Sequence, residues 1–181
     1  MEHTHAPRHP AWLVWGLVGL GITARLAPHP WNATPTMAIA LFAGAHLQKR
    51  WALWLPLAIV AASDMVLGWH DTIPFTWGAF LLTGALAWWI RESPTAGRIF
   101  AGALAGSVVF FLLSNVGVWL VGGLYPRTAA GLWDCFVAAI PFFRGTLAGD
   151  LVYTAALFGG FAAASGASRP CRQASRGSPA R

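Results

Sequence analysis

The sequence predicts an all-α membrane protein: a bundle of six transmembrane helices, with a short interfacial or re-entrant helix before the last span. Hydrophobic residues fill 56% of the 181 positions and charged residues only 10%, at a mean hydropathy of +0.56, whereas soluble domains carry about 25% charge. The apolar residues fall into six stretches separated by short polar connections, each close to the roughly 20 residues that cross a bilayer at about 1.5 Å per residue. Basic residues and tryptophans also sort by side of the membrane, as a multi-pass chain requires.

Residues 1–10 are polar and carry His3, His5 and His9. They lack the basic, apolar, small-residue order of a cleavable signal, so they read as a cytoplasmic tail. Spans follow at 11–28, 35–48, 51–70, 73–91, 98–122 and 145–166, which make residues 11–166 one transmembrane domain. The first is interrupted by Arg25 and the second is short, so both are expected to tilt, kink or shelter behind neighbours. Gly102 with Gly106, Ala40 with Gly44 and Ala156 with Gly160 are small-residue pairs at i and i+4, suited to close helix packing. The longest connection, Gly122 to Gly145, contains the apolar run Phe136 to Phe143 and is the segment expected to fold back over the outer face. Residues 167–181 carry four arginines among Ser, Pro and Gly. They are expected to be disordered, with too little apolar surface to offset chain entropy.

With the N-terminus inside, Arg8, Lys49, Arg50, Arg91, Arg98, Arg169, Arg172, Arg176 and Arg181 lie in the cytoplasm, against Arg25, Arg127 and Arg144 outside. That bias follows the positive-inside rule and predicts a multi-pass membrane protein with both termini cytoplasmic. Trp12, Trp15, Trp51, Trp54, Trp88 and Trp89 fall near inner span ends, and Trp31, Trp69, Trp77, Trp119 and Trp133 near outer ones, as two interfacial belts. The net charge of +6 is thus explained by membrane orientation, and no nucleic acid partner is expected.

Charge inside hydrocarbon costs about 2.5–3.5 kcal/mol even on insertion scales, so such residues face a protein interior and mark a functional site. Arg25, Asp64, Asn115, Arg144 and Asp150 all fall at the outer end of their spans. Tyr153 and Thr154 follow Asp150 one turn inward on the same face. His29, Trp31 and Asn32 in the first outer loop and Trp69, His70 and Asp71 in the second lie at the same level. The candidate substrate site is therefore Arg25, Asn32, Asp64, Trp69, His70, Asn115, Trp119, Arg144, Asp150 and Tyr153, since convergent polar groups among aromatics are what a small-molecule site requires. The alternative is that the two arginines and two aspartates pair internally and lock helix ends. No metal or other cofactor is expected: no Cys and His share ligand spacing, and Cys135 and Cys171 fall on opposite sides, which disfavours a disulfide. His46, near the inner end of the second span, reads as an interfacial side chain.

The stretch Asn32-Ala-Thr-Pro-Thr-Met-Ala-Ile-Ala-Leu-Phe-Ala-Gly-Ala45, a basic turn, and Ala62-Ser-Asp-Met-Val-Leu-Gly68 resemble the early helices of small six-span S components of energy-coupling factor (ECF) transporters. Phe110-Phe-Leu-Leu-Ser-Asn-Val-Gly-Val-Trp119 and Gly131-Leu-Trp-Asp-Cys-Phe-Val-Ala-Ala-Ile-Pro-Phe-Phe-Arg144 resemble more closely a related group of bacterial six-span proteins with no established activity. The resemblance runs from about residue 25 to 160. It implies an S-component-like bundle that captures a vitamin-like molecule from outside, beneath Ala27–Pro35, Trp69–Pro74 and Gly122–Gly145. It also implies a transmembrane energising subunit with ATPases as partner, although Gly16, Gly19 and Gly21 replace the Ala-x-x-x-Ala spacing that such docking uses on the first helix.

Three functions compete on these residues. Uptake of a small molecule by a non-enzymatic binding protein is the first, and an assembly protein with internal ion pairs the second. An intramembrane aspartyl hydrolase using Asp64 and Asp150 is the third; it is disfavoured because Leu147-Ala-Gly-Asp150 lacks the first glycine of the G-x-G-D pattern.

Overall fold

The computed structural model of the chain describes residues 11–28 and 33–167, and the tails and Asn32 lie outside that range. Six helices follow in order: α1 (Ala11–Leu26), α2 (Thr36–His46), α3 (Lys49–Leu67), α4 (Ile73–Glu92), α5 (Ala96–Val121) and α6 (Ala129–Ala167). There is no strand among the described residues. Four helices, α3 to α6, are long and apolar enough to cross a membrane, while α1 has 16 residues and α2 only 11.

Local chemistry sets several of the ends. Gly68 stops α3 with a φ of 105° that side chains rarely tolerate, while its N–H still donates to the Asp64 carbonyl at 2.9 Å. Thr95 caps α5 by accepting from the Arg98 N–H at 3.3 Å. Pro74 occupies the first turn of α4, where no helical donor is missed.

The short helix is the centre of the bundle. Every residue of α2 from Thr36 to Gly44 is buried, and α2 touches each of the other five helices. At its His46 end the packing is aromatic. Phe42 stacks on His46 with ring centres 4.6 Å apart, and Phe158 and Phe161 of α6 close around them at 4.6–5.4 Å. His46 is therefore half-buried in an aromatic cluster. A Cβ at Gly44 would overlap that of Ala87, and one at Gly84 would overlap the Ala52 carbonyl. Glycine here lets α2, α3 and α4 approach backbone to backbone. Arg91 donates to the Leu47 carbonyl just beyond the C-terminus of α2, where cationic donors favour the helix dipole.

Three expectations need correction. The separate interfacial or re-entrant helix is absent among the described residues: α6 runs unbroken for 39 residues through Pro141, and the connection shrinks to residues 122–128. Pro141 removes one helical hydrogen bond but does not end the helix. At about 1.5 Å per residue α6 is about 58 Å long. The pair Ala156 and Gly160 faces outward, unlike Gly44, Gly102 and Gly106, which sit at helix contacts. Finally α2, the expected second span, is only about 16 Å long, half the thickness of a hydrocarbon core.

Candidate ligand-binding cavity

Above the short α2, at the Arg25 end, lies a cavity of about 420 Å³ to which all six helices contribute. Met37, in the first turn of α2, and Thr34 just before it line the cavity, so the space exists because α2 stops where its neighbours continue. The N-terminal end of α2 sets the positive pole of its dipole at this level. Gly149 makes room on the α6 side, since a Cβ there would lie 2.7 Å from that of Ala33. Thr34, next to Ala33, and Asp150, next to Gly149, both line the cavity.

Two buried carboxylates face this space, each satisfied differently. Asp64 accepts from Arg25 Nη2 at 2.7 Å and from Trp77 Nε1 at 2.9 Å, so both its oxygens are engaged. Arg25 also donates from Nε to Ser63 Oγ at 2.6 Å, and Ser63 in turn donates to the Ile59 and Val60 carbonyls. The result is a network tying α1 to α3 and α4, in which a charged pair carries its own hydrogen bonds and offsets much of its burial cost. Asp150 has no cation within reach among the described residues. Its Oδ2 lies 2.6 Å from Ser107 Oγ of α5, which is also 3.0 Å from the Ala103 carbonyl. Phe80, Phe110, Val60 and Leu67 supply the apolar wall, and Thr76, Thr146 and His70 complete the polar one.

Of the residues singled out in the sequence, Arg25, Asp64, His70 and Asp150 line the cavity together. Asn115 lines a smaller chamber of about 180 Å³ that shares Phe110 and Thr146 with it, and its side-chain N–H donates to the Phe111 carbonyl at 2.8 Å. Arg144, Trp69, Trp119 and Tyr153 do not line the cavity. Of the alternative in which the two arginines and two aspartates pair internally, Arg25–Asp64 is present, whereas Arg144 is exposed and in no ion pair among the described residues. Trp69 is 74% exposed, and the Trp119 indole donates to the Pro126 carbonyl at 3.0 Å. Asn32 lies outside the described residues. Helical angle explains Arg144: six positions before Asp150 amount to about 120° around the axis, whereas Thr146, four positions away, stays within about 40°. The sequence reading missed Thr34, Ser63, Thr76, Trp77, Ser107 and Thr146. Of these, Thr146 was findable from its i−4 spacing to Asp150.

Among the described residues no three His, Cys, Asp or Glu side chains gather to hold a metal. The cavity can offer a ligand one carboxylate bonded only to a hydroxyl, a cation already shared with Asp64, several hydroxyls and two phenylalanine rings. A model of a family of unknown function (DUF6580) matches residues 6–173 of the chain. No curated protein and no solved structure matches it.

Proposed function

For a chain that belongs to the DUF6580 family, whose function is unknown, we propose capture of a small vitamin-like molecule at the membrane, for uptake from the outer side. One observation carries this proposal: a cavity of about 420 Å³ walled by all six helices, with Arg25, Asp64 and Asp150 at its surface. Ligand sites typically span about 300–1,000 Å³ and combine apolar walls with a few convergent polar groups. On this proposal α1 and α2 complete a six-span, S-component-like bundle, α2 sheltered wholly by protein. The cavity end faces outward, and both termini lie in the cytoplasm of a bacterial inner membrane, as the basic residues favour. On this proposal the protein binds its ligand without converting it, and a paired-carboxylate hydrolase is disfavoured because Asp64 is held by Arg25 and Trp77, whereas that chemistry needs both aspartates free to share a proton. An energising subunit with ATPases would supply the work of release, and the outward Gly16 and Gly19 of α1 leave room for one.

Trp77 bonds directly to Asp64, which makes tryptophan fluorescence a suitable reporter. Purified protein titrated with a panel of vitamins and their precursors should give a saturable change with at least one of them, abolished in Asp150→Asn. A panel with no response in fluorescence or in thermal midpoint would overturn the proposal.

The Arg25–Asp64 pair favours a second function, a structural or assembly protein whose polar groups only lock helices. Exchanging the two charges, Arg25→Asp with Asp64→Arg, should restore folding in either case. Only a binding protein should lose its ligand in the exchanged variant.

A further inference from the structure

A second concavity is larger than the polar one. A groove of about 670 Å³ runs between α1 and α3, and its walls are almost wholly apolar: Val14, Trp15, Trp51, Trp54, Leu55 and Ala58 among them. Polar side chains occur only at the His46 end, where Gln48 and Arg50 form the mouth. The guanidinium of Arg50 lies 5.6 Å from the Trp51 ring centre, is exposed, and is in no ion pair among the described residues. At the far end the groove stops at Trp77, the same side chain that donates to Asp64.

We propose that this groove seats one anionic phospholipid, its phosphodiester headgroup on Arg50 and Gln48 and one acyl chain laid along the tryptophans. Length supports the assignment. From Arg50 to Ala61 the helix rises about 16 Å, and one leaflet of a hydrocarbon core is about 15 Å deep. Charge supports it as well: an exposed arginine in no ion pair among the described residues, beside Trp51, is complementary to an anionic headgroup in the leaflet on the basic side. A soluble anion would use Arg50 but leave the apolar walls empty. A partner helix would fill the walls but bring no charge required at the mouth. The seat matters structurally because α1 leans chiefly on α3. An acyl chain in the groove would brace α1, which carries Arg25 into the polar network, and would press on the back of Trp77.

The proposal rests on membrane residence alone and not on ligand capture, so the two can fail separately. The test is native mass spectrometry of the full-length protein released from micelles containing equal amounts of phosphatidylglycerol and phosphatidylcholine. Wild type should retain one phosphatidylglycerol at several-fold higher occupancy than phosphatidylcholine. Arg50→Gln should bring the two occupancies level, and Ala58→Trp, which fills the groove, should remove the retained lipid of either kind. Equal retention of both lipids by wild type would overturn the assignment, as would a preference that survives Arg50→Gln. The wild-type comparison decides even where a variant fails to fold.

Discussion

At the His46 end, α2 and α6 meet through the rings of Phe42, His46, Phe158 and Phe161, whereas at the Arg25 end the same two helices face a cavity with Met37 and Asp150. The first end is held by contact and the second by hydrogen bonds. In hydrocarbon, helix association gains little from hiding apolar surface, so close packing and polar bonds must supply it. Glycines at 44 and 84 allow the first device. Arg25, Asp64, Trp77, Ser107 and Asp150 provide the second, and bonds directed at single partners leave space between helices that packing would fill.

The comparison breaks most sharply at Asp64. Asp64→Ala leaves Arg25 without its carboxylate and the Trp77 N–H without its acceptor, and removing one member of a buried pair costs about 3–5 kcal/mol. Thermal unfolding followed by circular dichroism should show that loss. A change under about 1 kcal/mol would mean that the pair does not hold this end.

Gly84→Val attacks the other end by driving a side chain into the Ala52 carbonyl, with an overpacking cost of about 1–3 kcal/mol. The midpoint should fall while the folded fraction keeps its ligand affinity in a fluorescence titration. Gly159→Ala, where an added Cβ meets nothing within 4 Å, serves as the matched control and should leave the midpoint unchanged or slightly raised.

The smallest effect sharpens the distinction. Ser107→Ala removes the hydroxyl beside Asp150 Oδ2 and should cost only about 1 kcal/mol in stability. Ligand affinity should nevertheless change, because the cavity then presents an altered carboxylate. An unchanged titration curve would place Asp150 outside the binding surface.

Helices α1 to α5 were legible in the sequence to within a few residues, because apolar runs bounded by charge and glycine leave little freedom. Arg25, Asp64 and Asp150 were legible for the same physical reason: a charge in an apolar helix is too costly to face lipid. The hydroxyls were not. Ser107 bonds the Ala103 carbonyl and Ser63 those of Ile59 and Val60 within their own helices, so neither carries a burial cost that would mark it. Trp77 resembled an interfacial anchor because depth along a span says nothing about which way a ring turns. Arg144 was misassigned by the same ambiguity, depth without helical angle. The unbroken course of α6 was hidden by Gly131, Asp134 and Pro141, residues that suggest a loop but that the helix absorbs. Gly131 in fact packs tightly against Pro126 of the connection.

The brevity of α2 bears on biosynthesis. Eleven residues are too few to be handed to the bilayer as an independent insertion unit, which takes roughly 20. Only residues 47 and 48 separate α2 from α3, so on the proposed six-span topology the pair would enter as one hairpin, with α3 providing the length. Thr36 and the backbone around it would then wait beside lipid until α4 and α6 arrive to cover them. The cavity would thus be a late product of assembly, enclosed only when the last helix has been synthesised.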